Sequence, residues 1–169
     1  MKCLNWSKRI GDVVDEKVYF YHAYEENGFL SNFYPCVFIE DGYMWSSAEH
    51  YYQAQKFEDK YYKYWIMHAP TPYDAFKATR IVRPECIRSD WKNINVDVMR
   101  KAVRLKFNHN EKLRCMMLDL GRDAVFVENS PTDYFWGIGS EGTGKNMLGV
   151  ILTEYKNDMI DLHSGNKTF

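Results

Sequence analysis

Glu49, Gln53 and Lys56 lie in a segment, Trp45 to Phe57, that reads as one helix. At 100° per residue, Gln53 and Lys56 fall within about 40° of Glu49, so an acid, an amide and a base share one face. A carboxylate in such a place can accept a proton or steady a cationic transition state, and an amine beside it can attack a carbonyl carbon. His50, Ala54 and Phe57 form a neighbouring stripe, with His50 expected to pack or cap locally. A second reading competes for the acid. Ser46-x-x-Glu49 matches a capping box, in which the carboxylate only returns to the N-cap amide. The helix dipole favours the ionised carboxylate near an N-terminus, which suits a base better than a proton donor. Lys56, for its part, reads equally as a solvated cation complementing the helix C-terminus.

A second constellation runs from Ser130 to Asn146 and includes Asp133, Trp136, Gly137 and Gly144. Gly137-x-Gly139-x-x-Gly142 satisfies the dinucleotide pattern, but it does not join a strand directly to a helix and no βαβ unit surrounds it, which excludes Rossmann binding. Gly139-x-x-x-x-Gly144-Lys145 comes within one residue of a P-loop, yet Asn146 stands where a Ser or Thr hydroxyl would ligate Mg²⁺. What survives is a set of glycines that let backbone amides approach a phosphate ahead of a helix N-terminus, set against an ordinary flexible turn. Asp133 reads as a turn residue near Pro131 or as a ligand carboxylate. Trp136 and Trp91 read as core or as flat surfaces for a nucleobase or sugar.

The elements that must hold these groups are short. Val18 to Tyr21 reads as a strand, and Val37–Ile39 and Tyr43–Trp45 flank Asp41-Gly42 as a type I′ hairpin that leads into the helix of Glu49. Helices are expected over Lys60–Ala69, over Pro72–Thr79 with Thr71 as cap, over Val96–Asn108 and over Leu113–Leu120 with Gly121 closing it. Ala124–Glu128 reads as a buried strand, and a last helix runs from about Asn146 to Ile160. Strands and helices do not alternate regularly, so a doubly wound parallel sheet is not expected.

The 169 residues are 46% hydrophobic and 17% aromatic, enough for one folded domain with a sizeable core. A net charge of -1 gives no global basic field for nucleic acid or membrane. Cys3, Cys36, Cys86 and Cys115 are scattered without a C-x-x-C pair and the five histidines lack metal spacing, so neither a metal nor a redox cofactor is expected and a reducing compartment fits. Polar residues between Met1 and Ile10 and the lack of any run of about 18 apolar residues point to a soluble, cytoplasmic protein.

Taken in order, Gly28-Phe29-Leu30-Ser31-Asn32-Phe33, Asp41-Gly42, Trp45, Glu49-His50-Tyr51-Tyr52-Gln53-Ala54-Gln55-Lys56-Phe57, Asp90-Trp91, Lys106-Phe107, Asp133, Trp136-Gly137 and Gly144-Lys145-Asn146 resemble the NADAR family, over roughly residues 18 to 157. The resemblance implies a compact, predominantly helical α+β fold with a small β component, one domain across residues 1–169. It implies an N-glycosidase that hydrolyses the C–N bond at a ribose anomeric carbon and needs no cofactor or metal. Two substrate classes follow: ADP-ribosylated guanine in DNA or other nucleic acid, or phosphorylated ribosylamino-pyrimidine intermediates of riboflavin synthesis. A non-catalytic module that binds ADP-ribose or a nucleotide is the alternative. No membrane and no obligate protein partner are implied. The carried-over catalytic residues are Glu49, Lys56 and Asp133; Asn32, Phe33, Gln53, Trp91, Trp136, Gly137, Gly144 and Asn146 are the expected substrate contacts. Three positions depart from the family pattern: Ser46 replaces a usual proline, Ala48 a small hydroxyl residue, and Thr79 the glycine before Arg80.

Overall fold

Asp41 and Gly42 adopt φ of 52° and 77°, the left-handed pair that a type I′ turn demands, and so fold β2 (Phe38–Glu40) back on β3 (Tyr43–Trp45) with Glu40 opposite Tyr43. The computed structural model in which this is seen describes residues 16–163. The N-terminal segment carrying Cys3 and the end of the polar tail lie outside the described residues. The chain falls into two compact units, Asn32–Asn110 and the segments on either side of it. Within the described residues, six α-helices accompany four strands of three or four residues, a predominantly helical α+β fold.

In the unit Asn32–Asn110, β3 leads into α1 (Ala48–Ala54), which packs against α2 (Lys60–Met67), α3 (Pro72–Ile81) and α4 (Trp91–His109). Each start has a local cause. Asp59 accepts from the Tyr61 amide at 2.8 Å, and the Thr71 hydroxyl accepts from the Asp74 amide at 3.1 Å with Pro72 in the first turn. α1 is shorter than the expected helix over 45–57. Trp45 belongs to β3, and the amides of Lys56 and Phe57 bond back only three residues, to Gln53 and Ala54, which tightens and ends the helix. α4 begins at Trp91, five residues before the expected Val96, because asparagines at 93 and 95 interrupt an apolar stripe that Trp91 and Ile94 already belong to. The core gathers Phe38, Phe57, Ile66 and Phe107, all fully buried. Lys106 is buried with them, its ammonium 5.1 Å from the Phe107 ring and 5.7 Å from the Tyr34 ring. Burial pushes that amine down to about 8, against the opposing charge of Cys36.

In the other unit, β1 (Lys17–Phe20) pairs in parallel with β4 (Val125–Glu128), Val18 opposite Phe126. α6 (Met147–His163) lies against β4 and α5 (Glu111–Asp119) against α6. Gly149 permits the close approach of α6 to β4, since a Cβ there would sit 2.2 Å from the Phe126 carbonyl oxygen. Gly121, at φ 112°, ends the α5 region as expected. Among the described residues Cys36 and Cys86 are free thiols. No helix among the described residues is long and apolar enough to cross a membrane.

Lys156 on α6 is 1% exposed, and its ammonium donates to the carbonyl oxygens of Arg122 at 2.5 Å and Ala124 at 2.6 Å, with that of Gly121 at 3.5 Å. It fastens the segment between α5 and β4 to α6. Lys156→Met should therefore lower stability by about 2–3 kcal/mol, because buried carbonyls lose a charged donor. A urea titration followed by far-UV circular dichroism measures this; an unchanged midpoint would contradict the fastening role.

Candidate active site

The N-cap of α1 is Ser47, extended in backbone, whose hydroxyl accepts from the His50 amide at 3.2 Å. The same hydroxyl lies 2.7 Å from His50 Nδ1, and His50 Nε2 lies 3.0 Å from the Ala69 carbonyl oxygen. A carbonyl only accepts, so Nε2 carries the proton and Nδ1 accepts from Ser47. Burial holds the imidazole below its ordinary proton affinity, and its two nitrogens are spent on local packing, as expected.

With Ser47 as cap, Glu49 sits at the second helical position, so the capping box read at Ser46 does not form. The Glu49 amide donates to the Asn32 carbonyl oxygen at 3.1 Å, while its carboxylate accepts from Gln53 Nε2 at 2.7 Å. Glu49 and Gln53 are 5% and 3% exposed. The far end of the same amide, Gln53 Oε1, accepts from the Thr79 hydroxyl of α3 at 2.9 Å. Asn32 is buried beside α1, its amide nitrogen 3.0 Å from Met99 Sδ and its Oδ1 without a hydrogen-bond partner among the described residues. Phe33 meets the Phe76 ring edge-on at 6.1 Å, and the Arg80 guanidinium covers Phe76 at 4.2 Å.

Lys56 lies just past α1 and still belongs to this cluster. Its ammonium is 5.8 Å from the Tyr52 ring and 5.9 Å from the Trp91 ring, which contact each other at 5.1 Å. Its carbonyl accepts from the Arg88 amide at 2.9 Å, tying the end of α1 to the segment that opens α4. Arg88 in turn grips Asp90 with two bonds of 2.6 and 2.9 Å. Burial lowers the proton affinity of Lys56, the Glu49 carboxylate opposes that, and Arg80 adds to it. The chemistry on offer is a buried carboxylate held by an amide, beside an amine biased toward its neutral, nucleophilic form. The opposite face of α1, with Tyr51 and Gln55, lines a separate cavity of about 460 Å³.

In the other unit, the loop before α6 is closed on itself. The amides of Gly144, Lys145, Asn146, Met147 and Leu148 donate to the carbonyl oxygens of Ile138, Tyr134, Gly137, Phe135 and Trp136. Those amides are therefore spent inside the loop, and the expected phosphate cradle at the start of α6 is corrected to a backbone braid. Gly137 and Gly144 are required by close approach: a Cβ on Gly144 would lie 2.3 Å from the Gly137 carbonyl oxygen, and one on Gly137 would lie 2.9 Å from that of Glu128. Asn146, at φ 52°, donates to the Phe126 carbonyl at 2.9 Å and accepts from the Glu128 amide at 2.8 Å, so both ends of its amide pin the loop to β4. Asp133 Oδ1 accepts from the amides of Phe135 and Trp136 at 2.8 and 2.7 Å, which fixes the turn that presents Trp136. Trp136 is half-buried, with Phe135 edge-on at 4.9 Å.

Thus Asn32, Glu49, Gln53, Lys56 and Trp91 form one cluster around α1, with Phe33 on the Phe76 ring beside α3, while Asp133, Trp136, Gly137, Gly144 and Asn146 share one loop. Sequence reasoning missed Tyr52 and Thr79 as members. Tyr52 stands three residues after Glu49 and four before Lys56, a helical spacing that places it between them. Thr79 had only one signal, its place in a position where the family pattern has glycine.

The NADAR domain model matches residues 19–160, a span that runs through both units. The chain belongs to the NADAR family. It is 36% identical to the N-glycosidase YbiA of Escherichia coli over 154 residues, covering 90% of this chain and 95% of that one. The N-glycosidase Npun_R5314 of Nostoc punctiforme is 39% identical over 151 residues, 87% of this chain and 95% of the other. A riboflavin biosynthesis protein of Vibrio vulnificus, VVA0006, is 40% identical over 148 residues, 88% of this chain, but the match spans only 40% of that longer protein. The solution structure of E. coli YbiA superposes with a TM-score of 0.80 at 34% identity and 95% coverage of both chains.

The cluster predicts that Lys56 loses its proton at lower pH than the exposed lysines, and that Glu49→Gln lowers it further by removing the opposing charge. NMR titration of reductively ¹³C-methylated protein, with the Lys56 signal assigned through Lys56→Arg, measures both shifts. A Lys56 signal that titrates no lower than the bulk of the lysine signals would refute the first.

Proposed function

We propose that this NADAR protein is a hydrolase of N-glycosyl bonds that cleaves the C–N bond at a ribose anomeric carbon, with Glu49 as its catalytic carboxylate. The observation that carries the reading is Glu49 itself: a nearly buried carboxylate, not spent on capping its helix, held by Gln53 and paired electrostatically with Lys56. The names of the relatives, N-glycosidases among them, support the reaction class.

Breaking a ribosyl C–N bond develops positive charge on the sugar and negative charge on the departing base. In the proposed mechanism Glu49 faces the anomeric carbon, where it stabilises that cation and accepts a proton from the attacking water, by analogy with glycoside hydrolysis. Gln53 holds the carboxylate in place. Trp91 is assigned to a flat surface of the substrate, and Asn32 and Phe33 to contacts at its edge. The substrate classes proposed are ADP-ribose attached to guanine in nucleic acid and phosphorylated ribosylamino-pyrimidines; the name of the Vibrio relative supports the second.

Incubation with an ADP-ribosylated guanine oligonucleotide, and separately with a ribosylamino-pyrimidine phosphate, should release base and sugar from at least one. Glu49→Gln should lower that rate by at least about 100-fold, the scale of a lost acid–base group, with a melting temperature close to that of the parent. Tight binding of ADP-ribose with no turnover of either compound would instead establish a binding module.

Lys56 enters in one of two ways that differ in covalent chemistry. As a cation it steadies developing charge. As a neutral amine it bonds to the anomeric carbon while the base departs with the C–N electron pair and a proton; ring opening then gives an imine, which water hydrolyses to free sugar and amine. The lowered proton affinity of Lys56 supports the second route. Borohydride added during turnover should then leave a sugar adduct on Lys56, detected by mass spectrometry; active enzyme without an adduct would assign the electrostatic role.

A further inference from the structure

We infer that Thr79 is a positioning residue for Glu49, acting through Gln53 to hold the amide with its nitrogen toward the carboxylate; the inference rests on the catalytic role proposed for Glu49. The three side chains form one line across α1 and α3. The Thr79 hydroxyl reaches Gln53 Oε1 at 2.9 Å, and Gln53 Nε2 reaches Glu49 Oε1 at 2.7 Å. All three are at most 5% exposed, so water does not stand in for a missing partner.

A hydroxyl has one proton, and Thr79 has two acceptors for it: Gln53 Oε1, and the Phe76 carbonyl oxygen at 3.0 Å in its own helix. Two arrangements satisfy every group. With the proton on the Gln53 side, the amide carbonyl is paired and its NH₂ points at an ionised Glu49. With the proton on the Phe76 side, the amide turns over, its NH₂ donates to the Thr79 oxygen and its carbonyl accepts from a protonated Glu49. The line therefore pairs Glu49 both before and after it takes up a proton. The two arrangements are not equal in strength. A bond to an ionised acceptor is roughly twice as strong as a neutral one, and each bond in a line polarises the next, so donation by Thr79 favours the ionised carboxylate. Charges that bear on this line are Lys56 past the end of α1 and Arg80 on α3; His50 on the same helix faces the Ala69 carbonyl after α2 and feels Asp74 on α3. From β3 and α4, Trp45, Trp91 and Met99 contribute ring and thioether contacts to Tyr51, Tyr52 and Asn32, and Lys101 of α4 bonds Tyr51. A residue without a side-chain hydroxyl at position 79 would offer none of this.

The test uses Thr79→Val, which keeps the shape and removes the hydroxyl, and Thr79→Ser, which restores it. The Gln53 side-chain amide signals, followed by ¹⁵N NMR in the unliganded protein, should report Glu49 protonation with a midpoint at about 5-fold lower [H⁺] in Thr79→Val than in the parent, a move to higher pH by about the worth of one neutral hydrogen bond. With substrate, the acid limb of the kcat profile should move the same way while KM stays fixed, and Thr79→Ser should behave as the parent. A Thr79→Val protein that only melts earlier, with both midpoints unmoved, overturns the positioning role. Failure of the parent to hydrolyse any N-glycoside overturns the catalytic reading instead, and the NMR midpoints still decide the role of Thr79.

Discussion

A carboxylate nearly closed off from water is costly unless hydrogen bonds replace its hydration, and that requirement at Glu49 organises the unit around α1. Gln53 supplies the bond from one turn along the same helix. Gln53 then needs a partner for its own carbonyl, which Thr79 provides, and that draws α3 against α1. The Glu49 amide needs an acceptor as well and finds it in the carbonyl of Asn32. Each step of the series pairs one polar group with the next. Such a network specifies one packing of its helices more sharply than apolar contacts alone.

The helix face of Glu49, Gln53 and Lys56 was legible in the sequence because 3.6-residue periodicity is a local property. The hairpin was legible because Asp41-Gly42 suits a left-handed pair of residues. What was not legible depends on which of two adjacent serines caps the helix. Ser46 and Ser47 offer the same chemistry, and the choice turns on the hairpin fixing Trp45 in β3 and on His50 returning to Ser47. Once Ser47 is the cap, the carboxylate is released from capping. Thr79 was illegible for a different reason. It is 26 residues from Gln53 in sequence, and nothing local marks it as the end of a polar line.

The loop before α6 shows how a glycine pattern can mislead. Glycines admit a close approach of backbone, and a phosphate is only one of the things that can approach. Here the visitor is the chain itself: Gly144 is tight against Gly137, and successive amides from 144 to 148 are taken up by carbonyls of 134 to 138. Asp133 and Asn146, read as ligand groups, turn a carboxylate oxygen and a whole amide inward to hold that arrangement. The effect is to give Trp136 a rigid mount, the kind of support that a ring surface needs if it is to select a flat ligand.

α1 has only seven residues, two turns in which nearly every backbone group belongs to one end or the other. A helix of that length does not persist in water on its own, where about 12–15 residues are already marginal. The alignment of Glu49 with Gln53 is therefore not stored in α1. It comes into being only when α2, α3 and α4 have closed around it, so the candidate catalytic face has no partly folded form: it is a property of the cooperative transition rather than of any segment within it.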